Sequence, residues 1–531
     1  MASSNMLSSS SILYFLLFSI TVFQIATAED FVQCVSSLSN TTSPLIFTPN
    51  NPLFSSVMQA YVRNKRFNLK TTPKPIAVVT PKDETHVQTT VICTKKLGLQ
   101  IRIRSGGHDY EGMSYVSAVP FVLLDMSDMR KIDVNLREKT AWVESGALLG
   151  ELYYAIAQAS NVLAFPAGVC PSLGIGGHFA GGGYGAMMRK YGLSVDNAVD
   201  ARIVNAKGEV LDRKSMGEDV FWALRGGGGA SFGVILSWKI KLVDVPPIVT
   251  TFKVDRTLED NATDLIGTWQ NVAHKVDESL FIRLQIEVAN ATVSTKKTVR
   301  ASFIGMYLGE VSELLPIMQK VFPQLGITKQ DCDPMKWIES TLFFYGLPKG
   351  TSVDFLKLRM LGPVVSFKHK SDYVKRPIAK RDLEKIWAVF MGLGNVVMQW
   401  NPYGGKMSDI PTRATAFGHR AGNLFKVQYM VDWQEGSKSD ERRFIREVRK
   451  MYEMMTPYVS SNPREAFMNY RDVDVGSIGA NGNGSFAKAR TYGLKYFKDN
   501  FARLVKVKTA FDPDNFFRYE QSIPVRGKWR I

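Results

Sequence analysis

Two glycine-rich loops, about sixty residues apart, each carry one nucleophilic side chain, and they constrain this chain more than any other feature. The first reads Ile101-Arg-Ile-Arg-Ser-Gly-Gly-His108-Asp-Tyr110, and the second reads Phe165-Pro-Ala-Gly-Val-Cys170-Pro-Ser-Leu-Gly-Ile-Gly-Gly-His-Phe-Ala-Gly-Gly-Gly-Tyr184-Gly. Runs of glycine let backbone N–H groups close around phosphates and lie flat against a heteroaromatic ring. A histidine and a cysteine in two such loops could tether one flat cofactor twice. Either residue alone reads more blandly, the histidine as a turn residue and the cysteine as a small buried group.

The length of 531 residues, with 45% hydrophobic and 22% charged residues, suits a globular chain of more than one domain. The net charge of +17 invites a nucleic-acid reading. The lysines and arginines are scattered instead of forming blocks, and no nucleic-acid-binding signature appears, so that class is set aside. Six scattered histidines show no zinc spacing, and no metal is expected. Ile12 to Ile25 is mostly apolar and uncharged, and Ala26-Thr-Ala28 before Glu29 resembles a signal cleavage site, although no Lys or Arg precedes the apolar run. Residues 1–28 therefore read as a secretory signal. No later run is long enough to span a bilayer. In an oxidising compartment Cys34 and Cys93 are free to pair. Asn40, Asn261, Asn290 and Asn483 stand in sequons that a secreted chain could have glycosylated. The basic surface could adhere to anionic cell-wall polysaccharide.

Along the chain, Pro75 to Val79 reads as a strand, Thr80-Pro-Lys-Asp83 as a capping box with proline at the first helical position, and the helix should stop near Gly98. Ala141 to Glu144 and Val199 to Val204 read as strands, with a hairpin about Lys207-Gly208. Val245-Pro-Pro ends regular structure. Beyond it Phe252 to Val254, Leu280 to Val288 and Thr298 to Tyr307 alternate like half-buried antiparallel strands, with helices at Glu313 to Val321 and Lys438 to Met455.

Several independent motifs carry a resemblance. The His108 and Cys170 loops, Met188 to Asn197, Met216 to Gly229, and Asn515 to Pro524 are similar to those of the berberine bridge enzyme-like family of plant flavoproteins. The resemblance covers nearly the whole chain. It implies an α+β fold, with a two-subdomain FAD-binding domain of the PCMH type over 70–245 after an N-terminal arm at 29–69. A substrate domain, an antiparallel sheet backed by helices, would occupy 246–465, and a segment at 466–531 would return to complete the FAD domain. It implies FAD bound through His108 and Cys170 at its 8α and C6 positions, and a Cys34–Cys93 disulfide. Arg104, Ser105, Gly106, Gly107, Leu173, Gly174, Gly176, Gly177, His178, Gly182, Val234 and Asn515 would sit about the cofactor, His178 as a structural residue. The chain would act as a secreted monomer on a small molecule, in the apoplast, the wall or the vacuole.

Oxidising an alcohol requires a base for the O–H proton while the cofactor supplies the redox step. Tyrosine can serve when cations favour its phenolate. Matched by motif, Tyr184, Tyr470, Tyr110, Lys426, Gln428 and Arg300 resemble active-site positions of the branch that oxidises monolignols, with Tyr184 held by Lys426 and Arg300. Each has a blander reading, as a packed tyrosine or a solvent-facing strand residue. Oligosaccharide oxidation, oxidative ring closure and FAD-dependent Diels–Alder cycloaddition without redox are the competing activities. A non-catalytic, allergen-like protein is disfavoured by the intact flavin motifs. Leu173 stands where fast oxidases of the family have valine, which implies slow reoxidation by O₂.

Overall fold

The computed structural model describes residues 26–38, 45–291, 296–359, 364–434, 436–479, 481 and 486–526. Most of the signal reading, Asn40 and Asn483 lie outside them. Three main sheets and their helices make an α+β fold. β1 (Leu45–Phe47), β2 (Ala77–Thr80), β3 (Gln100–Arg104) and β4 (Phe121–Asp125) form the first, in the order β1-β2-β4-β3. β2, β4 and β3 run parallel, and each is nearly all buried, as strands covered on both faces are.

The chain next makes β5 (Ile132–Asn135), β6 (Thr140–Glu144), β7 (Leu163–Ala164), β8 (Ala198–Val204), β9 (Val210–Leu211), β10 (Val234–Lys241) and β11 (Val243–Asp244). Five of them form an antiparallel sheet ordered β5-β6-β10-β8-β9, while β7 and β11 pair with each other. The third sheet has seven strands: β12 (Val249–Thr257), β13 (Leu280–Asn290), β14 (Lys297–Tyr307), β15 (Cys332–Met335), β16 (Ser366–Val374), β17 (Val397–Pro402) and β18 (Phe425–Trp433). Their order is β15-β12-β14-β13-β17-β18-β16.

Alternation divides the two faces of this third sheet. Leu284, Trp400, Val427 and Tyr429 enter a core under the helices Ala262–Val272, Lys380–Met391 and Lys438–Met454. The other face is polar. There Tyr373 opposes Lys426, which opposes Asn401, and Ser371 opposes Gln428, which opposes Gln399, which opposes Gln285. The C-terminal helices Phe486–Phe497 and Asn500–Phe511 pack into the same core as β6, β8 and β10. Buried Lys508 there donates to the Ser231 and Phe517 carbonyls.

The expected capping box at Thr80 is corrected. The helix is Glu84–Lys96, and Asp83 is its N-cap, accepting from the Thr85 and His86 amides, so Pro81 lies before the helix. An aspartate in extended backbone satisfies two orphan N–H groups that Thr80 cannot reach. Cys34 and Cys93 form a disulfide tying the helix Ala28–Leu38 to Glu84–Lys96. Asn261 and Asn290 are exposed. Among the described residues no helix is long and apolar enough to cross a membrane.

Candidate active site

The two glycine loops meet backbone to backbone. A Cβ on Gly106 would stand 2.3 Å from the Gly174 amide nitrogen, and one on Gly107, whose φ is +70°, would strike the Tyr61 carbonyl. Only glycine permits that approach. The contact brings both nucleophiles to one hydroxyl: Ser172 Oγ lies 2.9 Å from His108 Nε2 and 3.4 Å from Cys170 Sγ. Burial, and next Arg63, push the His108 imidazole down to about 3, so at neutral pH it is an uncharged nucleophile. Burial raises the Cys170 thiol, while Ser172 and Arg63 act in the opposite direction.

Both side chains line a cavity of about 610 Å³ that runs from the loops to the polar face of the seven-stranded sheet. Ser105, Gly106, Gly107, Leu173 and Gly174 share its wall, as do Gly176, Gly177 and His178. His178 Nε2 accepts from the Gly168 amide, and burial holds its ring down to about 3, so it braces the loop as an uncharged acceptor. The 8α and C6 positions of a flavin lie along one edge of its benzenoid ring. A double tether therefore needs two nucleophiles side by side, which this wall provides.

Tyr110, Tyr184 and Tyr470 also line this cavity. The Tyr184 and Tyr470 hydroxyls are hydrogen-bonded to each other, and the Tyr110 ring stacks on Tyr470 with centroids 5.6 Å apart. Burial raises all three phenols above their ordinary value. The Arg283 guanidinium works against burial at both Tyr184 and Tyr470; at Tyr184 it is the largest influence after burial, whereas at Tyr470 it stands behind the neighbouring Tyr184 and Tyr110, which add to burial.

Arg283 is the residue that sequence reasoning missed. It lines the cavity, its Nε donates to Asn401 Oδ1 at 2.7 Å, and one buried terminal nitrogen has no hydrogen-bond partner among the described residues. Arg300, expected in this role, is displaced. It opposes Glu287 in register and is ion-paired to it, with its side chain 42% exposed and away from the cavity wall. Arg283 and Glu287 share a face of β13 four residues apart, about 13 Å along a strand. The polar residues Arg283, Gln285 and Glu287, at even spacing in the otherwise apolar run Phe281 to Val288, were the available signal.

Lys426 also departs from expectation. Its Nζ sits 3.1 Å from the Tyr184 ring centroid and 3.7 Å from that of Phe467, so it meets ring faces and not the phenol oxygen. Burial, with Arg283 adding to it, pulls this amine well below its ordinary value. Gln428 lines the cavity and donates to the Tyr110 hydroxyl at 2.9 Å.

Four residues expected around the cofactor stand off the cavity wall. Arg104 is buried against Asp125 and the Val57 carbonyl, because its guanidinium secures the N-terminal arm. Gly182, with φ +126°, shapes the turn before Tyr184. Val234 fills the core while its neighbours Gly233 and Ile235 line the cavity. Asn515 is buried with φ +52°, at the turn after the last helix. Among the described residues no cluster of His, Cys, Asp and Glu could hold a metal.

Comparisons with known proteins find relatives along nearly the whole chain. A family model described as "FAD binding domain" matches residues 75–213, and one described as "Berberine and berberine like" matches residues 466–524. Berberine bridge enzyme-like 9 of Arabidopsis thaliana is 54% identical over 505 residues, covering 93% of each chain. Two solved structures cover 94% of this chain and all of their own. BBE-like number 28 of Arabidopsis thaliana has TM-score 0.88 at 43% identity. The grass pollen protein Phl p 4.0202, described as a glucose dehydrogenase, has TM-score 0.89 at 41% identity. An isoleucine-to-valine variant of Phl p 4 is described as a glucose oxidase. FAD is the cofactor, bound covalently through His108 and Cys170.

Proposed function

This chain belongs to the berberine bridge enzyme-like family of FAD-linked oxidoreductases, and on that premise we propose that it oxidises an aromatic or allylic alcohol of the monolignol type. FAD supplies the hydride acceptor when bound. The protein supplies a proton acceptor, and the observation that carries the reading is the Tyr184–Tyr470 pair beside Arg283 on the wall of the cavity that His108 and Cys170 also line. Tyr184 Oη takes the proton of the substrate hydroxyl. Arg283 and the Tyr470 O–H hold the resulting phenolate charge. Phe367, Tyr345 and Met430 give the wall an apolar stretch on which a cinnamyl ring can lie.

A second reading, oxidation of a sugar, is favoured by the polar row of Gln399, Gln428 and Asp432 on the same wall, and the pollen relative described as a glucose dehydrogenase supports it. A cycloaddition without redox would leave the tyrosine and arginine set without a task. Anaerobic mixing of the purified FAD-loaded protein with alcohols, sugars and prenylated phenols distinguishes these readings. Cinnamyl-type alcohols are expected to bleach the flavin fastest; bleaching by sugars alone would overturn the reading in favour of the second. We also propose that the protein is secreted. The N-terminal pattern, the Cys34–Cys93 disulfide and the exposed sequons at Asn261 and Asn290 support this.

Arg283→Met is expected to slow flavin reduction and to move the rising limb of its pH profile upward, because a cation that lowers the Tyr184 phenol is lost. A profile unchanged in position would contradict the role. Leu173 stands on the wall between Cys170 and Gly174, and its extra methylene fills space that O₂ would use to reach the cofactor. Leu173→Val is expected to speed reoxidation of the reduced protein on mixing with O₂. A valine variant no faster than the parent would refute this gate.

A further inference from the structure

His369 and Asp432 lie on the cavity wall, outside the tyrosine and arginine set. His369 on β16 opposes Met430 on β18, so Gln428 and Asp432 are its two diagonal neighbours on the same face. It touches both. Its Nε2 is 2.7 Å from Asp432 Oδ1, and its Nδ1 is 3.4 Å from Gln428 Nε2, which also reaches the Tyr110 hydroxyl at 2.9 Å.

The donors and acceptors in this row assign one another. The Gln428 amide nitrogen faces His369 Nδ1, which therefore accepts, and the His369 proton lies on Nε2 toward the accepting Asp432 carboxylate. Gln428 then turns its NH₂ group inward, giving one hydrogen to His369 and one to the Tyr110 oxygen. That oxygen has been donated to, and no described residue accepts the Tyr110 O–H. Burial, with Tyr184 and Asp432 adding to it, keeps this phenol protonated. The Tyr110 hydroxyl hydrogen is thus available to an acceptor in the cavity that this residue lines.

We propose that His369 and Asp432 are a positioning dyad that, through Gln428, turns Tyr110 into a fixed hydrogen-bond donor for an acceptor oxygen of the substrate. The inference rests on the cavity being the substrate site, as proposed above. It gives Tyr110 a part separate from proton abstraction, since a hydroxyl held as a donor cannot also be the base. Substrates with an ether, carbonyl or phenolate oxygen at the dyad end of the cavity are selected over wholly apolar ones.

The test is a double-mutant cycle on the full-length, FAD-loaded protein, titrated with 4-methoxybenzaldehyde, an acceptor-only probe, and read by perturbation of the flavin absorbance. His369→Phe keeps the ring that packs 4.8 Å from both Tyr110 and Phe367 but loses the acceptor. It is expected to weaken the probe Kd by ~3 to 10-fold, the effect of one neutral hydrogen bond. In a Tyr110→Phe background the same change should have no further effect. Asp432→Leu should weaken binding more than Asp432→Asn, which keeps an acceptor for Nε2; this pair stands in if the His369 variant does not fold. Equal losses with and without Tyr110, or an unchanged Kd, would overturn the dyad. The readout needs no turnover, so a parent that oxidises no alcohol sinks the proposed activity alone and leaves the cycle legible.

Discussion

Replacing Tyr184 with phenylalanine is expected to slow anaerobic flavin reduction by ~10²- to 10⁴-fold at saturating substrate, the usual range for loss of a general base. The change keeps the ring against Phe467 and under Lys426 and removes only the oxygen that faces Arg283 and Tyr470. Tyr470→Phe should cost less, because it removes the hydrogen-bond partner of the proposed base and not the base itself. The pH dependence follows from the same geometry. Burial holds the Tyr184 phenol above its ordinary value, so its charged form is scarce at pH 7 and grows as pH rises. Reduction by the parent should therefore climb from pH 7 to 9 without a plateau. A plateau at neutral pH, or a larger loss from Tyr470→Phe, would move the base elsewhere.

Removing both tethers has the other large effect. His108→Ala or Cys170→Ala alone should leave FAD covalently attached through the remaining residue, so denatured protein keeps its yellow colour. The double variant should release all of its FAD on denaturation. Both nucleophiles reach the same Ser172 hydroxyl, and His108 is uncharged over the whole neutral range, so each can attach without the other. Free FAD released from the unmodified protein would refute the double attachment.

How far the residues alone reveal this site depends on where each contact is made. His108, Cys170 and Tyr184 stand in loops whose glycines are local demands of the backbone, and local demands are written in sequence. Three strands of the seven-stranded sheet, β12, β13 and β14, were legible by alternation, and of the i, i+2 pair Lys426 and Gln428 on one strand face, Gln428 lines the cavity. Register was not legible. Arg283 and Arg300 both belong to alternating runs, and only the pairing of Arg300 with Glu287 and of Arg283 with Asn401 separates a surface ion pair from a site residue. The row from Asp432 through His369 to Gln428 is diagonal across two strands, and no spacing within either strand announces it. Lys426 shows the same limit in another form. Its strand face could be read, but its position over the rings of Tyr184 and Phe467 depends on chain more than two hundred residues before it in one case and about forty residues after it in the other. The N-cap at Asp83 went to the nearer residue because Asp83 is extended and adjacent to the first turn, a choice that the Thr80-Pro pattern obscured.

The account rests on Tyr184 taking a proton while hydride leaves the carbinol carbon. Single-turnover anaerobic mixing of the FAD-loaded protein with coniferyl alcohol, unlabelled and deuterated at the carbinol carbon, tests this most directly. The prediction is rapid bleaching of the flavin by the parent, slower bleaching with the deuterated alcohol, and almost none in Tyr184→Phe. Bleaching insensitive to both the label and the substitution would contradict it, as would consumption of the alcohol with the flavin still oxidised.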